Sequence, residues 1–144
     1  MRELPDLNSL QQFAEQCLAD WPEGAVVALE GELGAGKTTF VRSFIEALCK
    51  KASQPVPRII SPTFVLHQSY DLNPCVEHFD WYRLEKVGEQ QLVEIGFWDA
   101  VEHAEAQKGY VFVEWPTRWT TGTKVFTQTL KFSVSAQGNH AVDL

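Results

Sequence analysis

Apolar residues recur at helical spacing in three parts of the chain, with polar residues between them. The first part, residues 9–21, predicts an amphipathic helix that opens with a capping box at Ser9 and Gln12. A second helix is predicted from Thr38 onward, because its apolar positions fall on one face. A third helical stretch is predicted over residues 88–104, with a glycine interrupting its middle.

Other apolar runs have the length and pattern of strands. Residues 25–29 and 110–113 are uninterrupted, which is typical of strands buried on both faces of a parallel sheet. Further strands are predicted at 64–71, 75–80, 125–134 and 140–144, with a turn at Asn73-Pro74 in the first pair and at Gly138-Asn139 in the second. The alternation of helices and buried strands predicts one α/β domain spanning residues 1–144. We expect a three-layer sandwich around a mostly parallel sheet, with antiparallel strands added at 64–80 and by the C-terminal hairpin.

A glycine-rich turn joins the first buried strand to the second helix. Its sequence, GELGAGKT at 31–38, fits the pattern GxxxxGK[ST]. Such a turn points backbone N–H groups at phosphate oxygens, and the helix N-terminus adds positive potential. We expect Lys37 to pair with the β- and γ-phosphates and Thr38 to bind Mg²⁺. The predicted nucleotide-binding residues are Glu32, Leu33, Gly34, Ala35, Gly36, Lys37, Thr38 and Thr39.

An ordinary glycine turn in an α/β connection is the alternative interpretation of this segment. The strand before the turn and the helix after it favour the phosphate-binding loop. The motif therefore predicts a P-loop protein of the NTPase type that binds ATP with Mg²⁺ and hydrolyses it.

Two acids stand at the ends of predicted strands, Asp80 after VEHF and Glu114 after YVFV. Carboxylates at strand ends often only solvate a loop, but ATP hydrolysis requires one near Mg²⁺ and a group that orients water. We assign Glu114 the metal or water role, with Asp80 assisting. Ser61-Pro62-Thr63 is either a rigid turn or a switch loop whose Thr63 hydroxyl senses the γ-phosphate. The predicted catalytic residues are Glu114, Asp80 and Thr63, and the predicted metal ligands are Thr38, Glu114 and Asp80.

The net charge of −7 opposes a broad nucleic-acid-binding face, and the twelve lysines and arginines are scattered along the chain. Any contact with RNA is therefore expected to be indirect. No apolar run approaches the roughly 18 residues of a membrane span, so we expect a cytoplasmic protein without membrane contact. The four histidines show no ligand spacing and are interpreted as structural or surface residues. The three cysteines form no metal clamp and are expected to be buried, reduced thiols.

Several segments together resemble the TsaE (YjeE) family of small bacterial ATPases, which are needed for the threonylcarbamoyladenosine modification of tRNA. They are GELGAGKTTF at 31–40, SPTF at 61–64, HFDWYRL at 78–84, EIG at 94–96 and VEW at 113–115, and they cover about residues 10–116. The resemblance implies the P-loop NTPase-like fold and supports the roles given to Lys37, Thr38, Thr63, Asp80 and Glu114.

The resemblance also implies partners, TsaB and TsaD, and an ATPase that services their complex without carrying out the carbamoyl transfer itself. Contact with tRNA would then occur only through that complex. One departure lies in the last strand, where family members usually carry a basic residue and this chain has Asn139-His140.

Three rival functions would also bind a nucleotide through this loop. A small-molecule kinase would need a lid of arginines, but the five arginines form no cluster in the sequence. A GTPase would need an Asn-Lys-x-Asp motif, which does not occur. A non-hydrolysing nucleotide-binding scaffold stays open. No arginine lies in the glycine loop or beside Glu114, so we expect slow hydrolysis until a partner orders the predicted surface loops of Arg83 and Arg118.

Overall fold

The computed structural model describes residues 1–121 and 123–144. Within these residues, strands and helices alternate through most of the chain, as the apolar pattern predicts. The strands are β1 (Arg2–Glu3), β2 (Val26–Glu30), β3 (His67–Tyr70), β4 (Val76–Asp80), β5 (Tyr110–Glu114), β6 (Gln128–Val134) and β7 (His140–Asp143). The α-helices are α1 (Leu7–Asp20), α2 (Lys37–Lys51), α3 (Glu89–Glu94) and α4 (Phe97–Gln107), and short 3-10 helices span Pro116–Arg118 and Thr123–Val125.

All of these strands join one sheet, in the order β1-β7-β6-β2-β5-β4-β3. Strand β2 lies between β5 and β6 and is parallel to both, and β4 is parallel to β5. The predicted mostly parallel sheet with antiparallel additions is therefore confirmed. Within segment 64–80, only β3 is an antiparallel addition, since β4 belongs to the parallel core. On the other edge β7 and the unpredicted β1 are antiparallel.

Helices cover both faces of the sheet, which gives the predicted three layers. On one face α1 and α2 enclose a core rich in aromatic rings, where the Phe44 and Phe112 ring centroids lie 4.9 Å apart. On the other face α3 and α4 cover a second core that contains Trp81 and Phe97. Strands β2 and β5 thus have apolar side chains on both faces, as their uninterrupted apolar runs predict.

Helix α1 begins earlier than its apolar pattern predicts. Asp6 is the N-cap residue, and its Oδ1 accepts from the backbone N–H of Ser9 at 2.8 Å. The Ser9 hydroxyl in turn accepts from the backbone N–H of Asp6 at 3.1 Å. The capping box therefore exists, but the assignment to Ser9 and Gln12 was wrong: Ser9 is its third helical residue, because a charged acceptor three positions earlier caps the helix instead.

The predicted strand at 64–71 begins only at His67. Residues 62–66 form a turn in which the Leu66 N–H donates to the Pro62 carbonyl at 2.7 Å, and Leu66 has a φ of 67°. Phe64 is consequently directed to solvent, with 81% of its surface exposed. The predicted helix at 88–104 is two helices, because Gly96 between them has a φ of 74° that ends the first and caps the second.

The three cysteines are free and buried, as predicted. Burial raises the pKa of Cys17 to about 12, so its thiol is protonated and inert. Across the two described ranges, none of the helices combines the length and the apolarity that crossing a membrane requires.

The cap of α1 provides a test of this fold. Asp6→Ala removes the acceptor of the Ser9 N–H and is expected to lower the free energy of unfolding by about 1 kcal/mol. Asp6→Asn keeps an acceptor oxygen and is expected to retain most of that stability. Urea denaturation of the three proteins measures the difference, and equal losses in the two variants would contradict the capping role.

Candidate functional site

The glycine-rich loop connects the end of β2 to the first residue of α2. Gly31 has a φ of 143°, and a Cβ atom there would lie 2.6 Å from the Phe132 carbonyl oxygen, so only glycine fits. Gly36, with a φ of 110°, is the N-cap of α2 and provides no side-chain cap. The first N–H groups of α2 therefore have no capping side chain, and they are oriented to bind an anion.

Lys37 is held inside the loop. Its Nζ donates to the carbonyls of Gly31 and, at 3.0 Å, of Glu32, and it lies 4.7 Å from the centroid of the Trp115 ring. Burial lowers the pKa of Lys37, while the carboxylates of Glu114, Asp80 and Glu32 oppose that shift. The backbone carbonyl oxygens of Gly31 and Glu32 thus hold the Lys37 ammonium at the base of the loop.

The two predicted acids lie side by side. Asp80 ends β4 and Glu114 ends β5, and the two residues are partners in the parallel register. Glu114 Oε2 accepts from the Thr38 hydroxyl at 2.8 Å and from His78 Nε2 at 2.7 Å. Both carboxylates are only 3% exposed. The carboxyl ends of adjacent parallel strands thus bring the acids to the N-terminus of α2.

Asp80 is held by contacts of its own. Its Oδ2 accepts from the Thr63 hydroxyl at 2.8 Å and its Oδ1 from the Tyr82 N–H at 2.9 Å. Ser61 Oγ lies 2.9 Å from Thr63 Oγ1. Burial raises the pKa of Asp80 and the nearby Glu114 adds to this, whereas the bonds from Tyr82 and Thr63 lower it. The SPT segment is therefore tied to β4 through Thr63.

Trp115, the residue after Glu114, connects the loop lysine to an arginine. It has a φ of 60°, an uncommon conformation for a bulky residue. The Arg118 guanidinium carbon lies 5.1 Å from the centroid of the same ring that Lys37 contacts. Arg118 Nη2 also donates to the Tyr82 carbonyl at 3.0 Å, so half-buried Arg118 joins the chain segments that follow the two acids.

These residues line part of a cleft of about 400 Å³, within the range of about 300–1,000 Å³ typical of small-molecule sites. The rest of its lining comes from the N-terminal segment and from the C-terminal hairpin, whose Phe132 and His140 lie next to the glycine loop. Its apolar wall consists of Leu4, Pro5, Leu7, Leu10 and Phe132. His140 also lines the cleft, with its Nδ1 3.2 Å from the Ala35 carbonyl oxygen.

The sequence-predicted residues are brought together almost completely. The residues 33–39, together with Thr63, Asp80 and Glu114, all line the cleft. Glu32 is absent from the lining and contributes its carbonyl to Lys37. Sequence reasoning missed His78, whose spacing from Asp80 gave a signal, since residues i and i+2 of a strand share a face. It also missed His140 and the N-terminal wall, which nothing local in the sequence indicates.

Comparison with known proteins identifies the relatives of this chain. Residues 4–142 match the sequence profile of the family described as threonylcarbamoyl adenosine biosynthesis protein TsaE. A protein of Synechocystis sp., named tRNA threonylcarbamoyladenosine biosynthesis protein TsaE, is 33% identical over 80% of this chain and 69% of its own length. A protein of the same name from Treponema pallidum is 32% identical over 83% of this chain and 81% of its own length.

The fold also has a solved counterpart. The crystal structure of Bacillus subtilis YdiB superimposes with a TM-score of 0.64 over 97% of this chain and 80% of that one, at 22% sequence identity. The arrangement of helices and strands is therefore shared despite extensive sequence divergence. Together with the profile match along nearly the whole chain, these relationships show that the protein belongs to the TsaE family of tRNA threonylcarbamoyladenosine biosynthesis proteins.

Proposed function

We propose that this chain binds Mg²⁺-ATP and hydrolyses it in support of tRNA threonylcarbamoyladenosine biosynthesis, the process for which its family is named. The observation that carries the proposal is the hydrogen bond between Thr38 on the glycine loop and Glu114 on β5. A hydroxyl after the loop lysine and a carboxylate on an adjacent parallel strand are the combination that P-loop NTPases use.

The cleft suits a nucleotide along its whole length. Free N–H groups at the start of α2, together with Lys37, would hold the phosphates. The apolar wall that includes Leu4 and Phe132 would take the base, with His140 beside it. The basic residue that family members usually carry in the last strand is thus replaced here by a histidine that still reaches the cleft.

The oxygen ligands also fit Mg²⁺, a hard cation that keeps several waters. Thr38, Glu114 and Asp80 would hold it directly or through water, since their oxygens converge beside the loop. When bound, the ion would neutralise charge that develops on the phosphates.

Glu114, Thr63 and His78 would each have a separate role in the reaction. Glu114 would orient the attacking water or the ion, and Thr63 would bring the SPT segment against the terminal phosphate. His78 is a positioning residue: it is fully buried and donates to the same Glu114 oxygen that Thr38 contacts. This contact fixes the direction of the Glu114 carboxylate, so the carboxylate is preorganised for its role in the reaction.

The surface near the cleft supports action with partners. Leu33 in the loop is 63% exposed, and Phe64, next to Thr63, is 81% exposed. Exposed apolar side chains next to a nucleotide site are suited to binding a protein. TsaB and TsaD are the partners that the family resemblance implies, with tRNA reached only through them.

The rival functions differ from this one in measurable ways. A kinase would transfer phosphate to a small molecule, and a scaffold would bind ATP and release no phosphate. Arg83 lies over the exposed Phe64 ring while Arg118 contacts Trp115, so these two arginines do not form a shared lid over the cleft. Phosphate release with and without partners separates the three functions.

The loop lysine gives the first test of the proposal. Lys37→Ala removes a charge-assisted contact to phosphate and is expected to cost about 1.5–3 kcal/mol of ATP binding, roughly ten- to hundredfold in affinity. Lys50→Ala, at the exposed last turn of the same helix, should bind ATP normally. Calorimetry with Mg²⁺-ATP and Mg²⁺-GTP should also show much weaker binding of GTP, and equal affinities would contradict the adenine preference.

The Glu114 contact gives the second test. Glu114→Gln is expected to lower kcat about 100-fold or more while largely sparing ATP affinity, because the carboxylate acts mainly in the transition state. His78→Gln keeps a donor near the position of Nε2 and should retain most of kcat. His78→Asn, whose amide is too short to reach Glu114, should lose kcat at similar KM. Identical steady-state kinetics for the two histidine variants would refute the positioning role.

The third test concerns partners. The isolated protein is expected to release phosphate slowly, and addition of TsaB and TsaD is expected to raise the rate. In related NTPases, an arginine supplied to the active site raises kcat about 10³- to 10⁵-fold. Within the complete mixture, Arg118→Ala should lose more of the activation than Arg83→Ala, because Arg118 already contacts the ring beside Lys37. Turnover of several per second by the lone protein, unchanged by partners, would favour a self-sufficient enzyme.

A further inference from the structure

A second cluster of polar side chains lies away from the cleft, on the sheet face that α3 and α4 cover. Cys75 and Glu77, just before and within β4, meet His103 of α4 there. The Cys75 sulfur, a Glu77 carboxylate oxygen and a His103 ring nitrogen all lie within 4.8 Å of one another. None of the three residues lines the nucleotide cleft.

Strand geometry explains how they come together. Successive side chains of a strand point to opposite faces, so Val76 packs toward α1 and α2 while Cys75 and Phe79 pack toward α4. Glu77 shares the second face, and His103 extends from the helix that covers it. The residues are far apart in sequence, which is why spacing alone does not indicate this group.

Glu77 is the unusual member of this group. It is 3% exposed on a face whose core is otherwise apolar, and a buried carboxylate is costly unless its charge is compensated. Two residues of β3 orient it: His67 Nε2 lies 2.5 Å from one carboxylate oxygen, and Ser69 Oγ donates to the other at 2.9 Å. Each oxygen keeps a further lone pair for another positive group.

We propose that Cys75, Glu77 and His103 bind a divalent cation of the zinc class. Thiolate, imidazole and carboxylate together are a donor set that suits zinc, and three protein ligands leave the fourth tetrahedral position to water. The two negative ligands would balance the charge of the ion. His67 and Ser69 would then be outer partners that hold the carboxylate in its direction.

The surroundings of the sulfur support this assignment. A Cβ atom on Gly109 would lie 2.6 Å from Cys75 Sγ, so the glycine makes room for the sulfur beside the start of β5.

The test uses the full, nucleotide-free chain after treatment with a chelator. Titration with Zn²⁺ in a calorimeter is expected to show saturable binding of a single equivalent. Titration with Co²⁺ should produce a thiolate-to-cobalt charge-transfer band, which the nucleotide cleft cannot give because no cysteine lines it.

Matched variants identify the ligands. His103→Gln changes an exposed residue and should fold normally, and it and Cys75→Ser should each weaken zinc binding at least about tenfold. Glu102→Gln, the exposed neighbour on α4, and Cys49→Ser, a buried thiol in α2, should leave binding unchanged.

Two results would overturn the proposal. The first is the absence of saturable zinc binding, which would leave Glu77 as a carboxylate paired only with His67 and Ser69. The second is zinc binding that survives His103→Gln but is lost in Glu114→Gln, which would assign the ion to the nucleotide cleft. Neither result bears on ATP hydrolysis, since the proposed zinc site shares no residue with the cleft.

Discussion

The carboxylate of Glu114 is shared between the Thr38 hydroxyl and the His78 ring, and this shared contact connects the three elements that build the site. Thr38 belongs to α2, Glu114 to β5 and His78 to β4. A buried carboxylate needs such donors, because an uncompensated charge of this kind is costly in an apolar interior. The same two bonds therefore satisfy a requirement of folding and fix the geometry that the proposed hydrolysis needs.

Most of the fold follows from patterns that the sequence displays locally. Uninterrupted apolar runs indicated the parallel centre, and the Gly96 break appears where the third helical stretch divides. Boundaries were less predictable, because they depend on side-chain hydrogen bonds and turns. Asp6 extends α1 toward the N-terminus, and the turn that ends at Leu66 delays β3. β1 spans two residues and exists only through its pairing with β7, so no local pattern could indicate it.

The residues of the candidate site also differ in how far the sequence could predict them. The glycine loop, Asp80 and Glu114 were predictable because a motif and two strand ends specify them. The SPT segment left two interpretations of Thr63 open, the SPTF resemblance supported the switch role, and the structure adds the bond of Thr63 to Asp80. His78 and His140 were interpreted only as structural or surface residues, because the four histidines show no ligand spacing among themselves. The strand spacing of His78 from Asp80 was a signal that this interpretation overlooked. The contacts of the two histidines with Glu114 and Ala35 arise from strand alternation and from the C-terminal hairpin, which pairs through β6 with β2, the strand that leads into the glycine loop.

The glycine loop and the apolar wall of the cleft differ in how far apart along the chain their residues lie. The glycine loop is continuous, running directly from β2 into α2. The apolar wall instead combines residues 4–10 with Phe132 and His140, so it needs contacts between distant segments. Contacts of high sequence separation carry a larger loop-closure entropy and form late in folding. The glycine loop should therefore form before the apolar wall, and that wall should be lost before the loop when the protein is partly unfolded.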